Sequence, residues 1–204
     1  MEPISFQGTI TVVDNLSKAE TALDKLFAAK CIGFDTESRP AFFKGQKFPV
    51  SIIQLATNEE AFIFQLKFVR FAGRLVELLS YQSITKVGVG VQDDLRRLNE
   101  LCKFKQSGFY DLSAEMKKKG LVQSGARALT ARYLGRKLVK SSQKTNWALS
   151  RLTPRQLEYA ATDAWICLQL LEHVKNDTTD YHKLAAAERK AGRLNDNEEY
   201  HLDE

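Results

Sequence analysis

The sequence predicts an α/β domain, a mixed β-sheet of about five strands flanked by α-helices. Three observations lead there. Up to Leu66 the chain holds runs of β-branched and apolar residues separated by turn signals. Beyond Leu66, helical spacing of apolar residues alternates with short apolar runs. The chain has 204 residues, 44% hydrophobic and 27% charged, which is enough for one good-sized core and ordinary for a globular protein.

The elements follow in order. Thr9–Val13 is β-branched throughout and reads as a short strand. Ser17-Lys18-Ala19-Glu20 has the spacing of a capping box. Ala19, Ala22, Leu23, Leu26 and Phe27 then recur at helical intervals, so a first helix is expected to run to about Lys30. Cys31–Glu37 is a strand that ends in two carboxylates. Ser38–Pro49, with two prolines, a glycine and alternating basic and aromatic residues, is a loop. Val50–Ala56 is almost continuously apolar, as a buried central strand should be. Asn58-Glu59-Glu60 turns the chain into Ala61–Leu66, completing a hairpin. A helix is expected from about Val69 to Ser80, with Leu75, Leu78 and Leu79 on one side.

Ile84–Gly90 reads as a strand that runs into a helix from Gln92, with Leu95, Leu98, Leu101 and Cys102 inward. Phe109–Leu112 is a candidate short strand. Helical patterns cover Ser113–Lys119 and Ala126–Leu134. Gly135–Leu152 is a loop carrying Lys137, Lys140, Lys144 and Trp147. The last core helix starts at Thr153-Pro154-Arg155-Gln156, which combines an N-cap threonine, a proline at the first helical position and a glutamine at the box position. Its inward face is Leu157, Ala160, Ala161, Ala164, Leu168 and Leu171, through about Val174. The domain is thus expected to occupy residues 1–175. Residues 176–204 form a polar, acidic tail, loosely helical over Lys183–Arg193 and disordered in its final dozen residues.

Charge is unevenly placed. The chain carries +5, but residues from Asn176 onward hold eight acidic and four basic residues. The first 175 residues therefore carry +9. A basic body suits a polyanion such as nucleic acid. No apolar run approaches a membrane span, and the N-terminus lacks a signal-peptide pattern, so no membrane partner is expected. Cys31, Cys102 and Cys167 lie far apart in apolar surroundings, without a Cys-x-x-Cys pair. Buried thiols point to a reducing compartment, the cytoplasm or, in a eukaryote, the nucleus.

The chemistry sits in the carboxylates. In a strand, Asp35 and Glu37 point to the same face. Two like charges that close need a positive partner, and Mg²⁺ or Mn²⁺, which prefer oxygen ligands, is the simplest. A strand running into an acidic, solvated turn would give the same triplet. Asp163 interrupts the apolar Ala160–Leu168 stretch, where a carboxylate is costly unless paired or metal-bound, and Tyr159 shares its helix face. Asp94 falls in the first turn of a helix, where an acidic residue is ordinary. Gly88-x-Gly90 lacks both the third glycine of a dinucleotide loop and the Gly-Lys-Ser/Thr of a P-loop.

The ordered set Asp35, Glu37, Asp94, Tyr159 and Asp163 resembles the DnaQ-like 3′→5′ exonucleases of the DEDDy group. The first motif matches as Phe34-Asp35-Thr36-Glu37. The second matches as Gly88-Val89-Gly90-Val91-Gln92-Asp93-Asp94-Leu95, and the third as Tyr159-Ala160-Ala161-Thr162-Asp163. The second motif, and the segment with Lys140-Ser141 and Asn146-Trp147, are similar to the exonuclease domain of the Werner syndrome helicase. Ribonuclease D is a further relative. The resemblance covers about residues 5 to 175. Neither a helicase part nor the C-terminal nucleic-acid-binding module of ribonuclease D follows, so a free-standing nuclease domain is expected.

The resemblance implies a ribonuclease H-like fold and two divalent ions, Mg²⁺ or Mn²⁺. It implies that Asp35 bridges both ions, Glu37 and Asp163 complete the site of the ion that activates water, and Asp94 holds the second. Tyr159 would orient the attacking water, since a phenol of pKa about 10 is a poor base at neutral pH. The product would be a nucleoside 5′-monophosphate from the 3′ end of nucleic acid, with DNA favoured over ribonuclease D-like RNA processing. Lys44, Lys47, Lys140 and Lys144 are candidate substrate contacts, and Phe42 and Phe43 candidate stacking platforms. Trp147 is expected to pack in the core instead. A non-catalytic nucleic-acid-binding module would have no need of the five motif residues. A metal-dependent phosphatase would need a closed pocket.

Overall fold

The structure, a computed structural model, describes residues 1–43, 45–139 and 142–190. Its centre is a six-stranded mixed sheet in the order β2-β5-β4-β3-β6-β7. The strands are β2 (Thr9–Val13), β3 (Cys31–Ser38), β4 (Val50–Ala56), β5 (Glu60–Gln65), β6 (Thr85–Gly88) and β7 (Phe109–Asp111). β4 is antiparallel to both β3 and β5, while β2 pairs with β5, and β6 with both β3 and β7, in parallel. The sheet holds six strands where about five were expected, because Phe109–Asp111 does add an edge strand.

One face of the sheet carries α1 (Leu16–Phe27), α2 (Gly73–Ser80) and α3 (Gln92–Leu101). Leu23, Leu26, Leu75, Leu78, Leu95 and Leu98 of these helices pack with Phe34, Ile53, Leu55 and Phe64. The other face carries α6 (Pro154–Asn176), flanked by α4 (Leu112–Lys118) and α5 (Ala126–Leu134). α6 begins as expected, with Thr153 and Gln156 completing a reciprocal capping box and Pro154 opening the helix. Small residues make this face tight: Ala161 and Ala164 pack on Ala56 and Ala61.

Gly33 shows how tight. A Cβ there would lie 1.9 Å from the carbonyl oxygen of Ala164. The contact is helix backbone, which cannot swing aside, so the β3–α6 approach requires a residue with no side chain. Gly33→Ala is therefore expected to cost about 2–3 kcal/mol. Urea denaturation with an unchanged midpoint would show that α6 can shift freely.

Several boundaries differ from the sequence reading. α1 is capped by Asn15, whose Oδ1 accepts from the Lys18 amide at 3.0 Å, so Ser17 lies inside the helix. The helix ends at Phe27 because the chain must reverse into β3 at Cys31. α2 starts at Gly73, not Val69; Val69 and Phe71 are buried in the non-helical turn before it. Leu101, expected inward, is 43% exposed at the end of α3. The loop after Gly135 contains a two-residue strand, β8 (Lys137–Leu138), paired in parallel with β1 (Pro3–Ile4).

The final helix, α7 (Tyr181–Lys190), begins before Lys183 and is tied to the body. Tyr181 is buried with Met116 and Val174. Its hydroxyl donates to Asp177 at 2.7 Å, and Tyr133 donates to the same carboxylate oxygen. Burial pushes the Asp177 carboxyl up, but hydrogen bonds from the two phenols and from Thr179 together hold it well below its ordinary value. Residues 191–204 lie outside the described residues, and with them the expected disordered end.

Candidate active site

The alternation of β3 between two helical layers builds the site. Phe34 and Thr36 face the α1–α3 layer, while Gly33, Asp35 and Glu37 face α6. Asp163 comes from α6, one residue before the Ala164 carbonyl that Gly33 accommodates. As a result, carboxylate oxygens of Asp35, Glu37 and Asp163 lie within 4.8 Å of one another. Close backbone approach and carboxylate convergence are thus two consequences of one contact.

The electrostatics of Asp35 are one-sided. Burial pushes its carboxyl well above the usual carboxylate range, and the charges of Asp163, Asp94 and Glu37 push it further. A backbone hydrogen bond at Thr36 acts in the opposite sense. Such a cluster favours either a proton or a cation. The donors are all hard oxygens, and His173 and His182 lie elsewhere, stacked on Tyr133 and packed at Gly120. The donor set fits a divalent cation of the Mg²⁺ or Mn²⁺ kind rather than a zinc site.

Asp94 is near but does not join the three that converge. It sits in the first turn of α3, across β3 from α6, where the Thr36 hydroxyl donates to its Oδ1. Burial raises its carboxyl to about 6, with that hydrogen bond acting in the opposite sense. Asp94 thus reaches the site from the other layer of helices, and its charge acts on Asp35 together with those of Asp163 and Glu37. Tyr159 lies one turn before Asp163 on α6, and its hydroxyl hydrogen-bonds Asp163. Burial, the Asp163 charge and this hydrogen bond push the phenol far above its ordinary value, so it acts as a hydrogen-bond donor and not as a base. Its ring packs on Trp147, centroids 5.8 Å apart. Trp147 is buried at 1% exposure, a core residue as expected.

The surrounding loops are fastened to these elements. From α3, Arg97 donates to Ser38 Oγ at 2.7 Å and to the Phe48 carbonyl at 2.8 Å. This pins both ends of the loop between β3 and β4, and that loop carries Phe42 and Phe43 outward at 74% and 77% exposure. Lys47 is exposed on the same loop; the nearby Asp93 carboxyl is lowered chiefly by its hydrogen bond from Arg96, with Lys47 adding a minor share. Lys144 is exposed in a turn held to the start of α6, where Gln156 Nε2 donates to Thr145 Oγ1 at 3.0 Å and to the Asn146 carbonyl at 3.2 Å. Lys44 and Lys140 lie outside the described residues.

Three supporting residues escaped the sequence reading. Thr36 hides inside the Asp-x-Glu triplet, its face opposite to the carboxylates. Arg97 is one charge among several on an amphipathic helix. Asp111 accepts from the Gly90 and Val91 amides at 2.8 and 3.1 Å and also caps α4. It holds the turn that presents Asp94, where Gly90 adopts φ +74°. Only its place after an apolar run could have drawn notice.

Sheet order and helix layers define a ribonuclease H-like fold, and the solved structures agree. The EXO domain of Aedes aegypti Nibbler matches with a TM-score of 0.74 and 23% identity, covering 87% of this chain and 94% of that one. Trypanosoma brucei RNase D in complex with RNA U12 matches with a TM-score of 0.75 and 20% identity, covering 93% and 72%. Residues 10–179 match the sequence family described as 3′–5′ exonuclease, and the chain belongs to that family. A curated relative, mouse bifunctional 3′–5′ exonuclease/ATP-dependent helicase WRN, is 33% identical over 165 residues, 77% of this chain and 12% of that protein. The chain spans between about an eighth and about half of the curated relatives it matches.

Proposed function

We propose that this domain is a divalent-cation-dependent 3′→5′ exonuclease that removes nucleoside 5′-monophosphates from the 3′ end of nucleic acid. The observation that carries it is the convergence of Asp35, Glu37 and Asp163 at one strand end, in a chain of the 3′–5′ exonuclease family. Two cations held by Asp35, Glu37, Asp163 and Asp94 would supply an activated water and offset the charge that develops at phosphorus. The protein's own residues do the rest. Thr36 and Asp111 set where the Asp94 carboxylate stands. Asp163 holds the Tyr159 hydroxyl, which orients water beside the scissile phosphate. Lys47 and Lys144, with Lys44 and Lys140, attract the strand's phosphates, and Phe42 and Phe43 offer faces on which a base can stack.

DNA is the favoured substrate, as the resemblance of the second motif and of the Asn146-Trp147 segment to the Werner exonuclease domain implies. The likeness to an RNase D solved with RNA supports a second reading, RNA 3′-end processing. Free Cys31, Cys102 and Cys167 suit a reducing compartment, cytoplasmic or nuclear. Among the described residues no helix is long and apolar enough to cross a membrane.

The test uses matched DNA and RNA oligonucleotides, labelled at one end, with Mg²⁺ or Mn²⁺. A 5′ label should give a descending ladder, and a 3′ label should leave as mononucleotide at once. EDTA should abolish both, and added cation should restore them. Early cuts in a closed circular strand, or full activity after exhaustive chelation, would contradict the proposal.

A further inference from the structure

Gln54 is fully buried, at 0% exposure, yet neither its carboxamide nitrogen nor its oxygen has a hydrogen-bond partner. Among the described residues the other buried glutamines have partners: Gln65 donates to the Leu149 carbonyl at 3.1 Å, and Gln156 works in the α6 cap. A buried carboxamide left unpaired costs about 1–3 kcal/mol, so its presence at a core position needs a reason.

Its place in the sheet supplies one. Gln54 is the direct antiparallel partner of Asp35 across β3 and β4. Partners across such a pair share a face and stand about 4.5–5.5 Å apart at Cβ. The flanking residues on that face of β4 are Ile52, packed with Tyr159 and Ala160, and Ala56, packed with Ala161 and Ala164. Ile63, its partner on β5, belongs to the Ile52 group. Gln54 is thus the single polar side chain in an otherwise apolar row of β4 that lies under α6 and abuts Asp35.

We propose that Gln54 is a positioning residue of the metal centre, its carboxamide N–H hydrogen-bonding the Asp35 carboxylate when that carboxylate holds cation. A carboxylate that would ligate a cation keeps lone pairs for a donor, and such a donor fixes which way the carboxylate faces. The amide nitrogen supplies a proton without adding charge, and the cost of its burial is recovered only when the centre is loaded. The inference rests on the metal-dependent reading above and extends it to a residue outside the five-residue motif.

The experiment measures Mn²⁺ binding by titration calorimetry, and thermal midpoints in EDTA, for the wild-type protein, Gln54→Met and Gln54→Leu. Methionine keeps the length and removes the unpaired polar atoms. In EDTA both variants should melt about 2 °C or more above wild type, because an unsatisfied buried group is gone. With Mn²⁺ both should bind about 10–100-fold more weakly. A residue with only a packing role would not move the Mn²⁺ affinity. Affinity within twofold of wild type, or variants that melt lower or fail to fold in EDTA, would overturn the proposal. Wild-type protein that binds no Mn²⁺ would instead overturn the metal-dependent reading itself, so the two failures are distinguishable.

Discussion

Asp35→Asn and Asp163→Asn should each lower turnover by about 10³-fold or more, with the fold intact. A cation that polarises phosphate and water contributes several kcal/mol to transition-state stabilisation, and each 1.36 kcal/mol is worth about tenfold in rate. Asparagine preserves shape and, at position 163, an oxygen that still accepts from Tyr159. The accompanying stability change is more telling than the loss of rate. Burial and three neighbouring carboxylates raise the Asp35 carboxyl above its unfolded value. A group raised in this way contributes stability at low pH, and that contribution is lost as pH rises through the raised value. Asp35→Asn should therefore raise the thermal midpoint in EDTA at pH 7.5 by a few degrees, and the gain should shrink under acidic conditions, where wild-type Asp35 is itself neutral. Saturating Mn²⁺ should reverse the order, stabilising wild type more than the variant. A variant that is less stable than wild type in EDTA at pH 7.5 would make Asp35 a structural residue.

Tyr159→Phe should lower turnover by about 10²-fold or more and leave oligonucleotide affinity nearly unchanged. The ring would keep its packing on Trp147, so the change is confined to the hydroxyl that now meets Asp163. Because burial and Asp163 push the phenol's pKa up, the hydroxyl stays protonated throughout the working range. The residual rate of the variant should then show the same pH dependence as wild type. A pH profile that changes shape would mean that Tyr159 exchanges a proton during the reaction. A raised Michaelis constant at full turnover would mean that it binds substrate instead.

The two variants test residues that were legible in the chain for different reasons. Asp163 was visible because a carboxylate in Ala160–Leu168 violates the apolar face around it. Asp35 and Glu37 were visible because an apolar strand broke into two charges with period two. Asp94 carried no such signal, since acidic residues are ordinary in a first helical turn; only its order with the others drew notice. Gln54 was invisible. Within Val50–Ala56 a single glutamine looks like a polar interruption of a buried strand, and nothing local says that it lies beside Asp35.

What the sequence by itself determined was the set of elements and the residue types that carry chemistry. Period-two and helical patterns, the Thr153 capping box and the loop signals around Pro40 and Pro49 all arise from local backbone and side-chain preferences, which act within a few residues. What only the tertiary structure decided was who stands next to whom. The register that sets Asp35 against Gln54 spans a loop of irregular structure. The approach that needs Gly33 joins β3 to a helix more than 120 residues later in the chain. The pairing of β1 with β8, the burial of Tyr181 and the Thr36–Asp94 hydrogen bond are likewise long-range. Such contacts are selected by the packing of whole faces against one another, a balance summed over the domain, so no short stretch of sequence contains them.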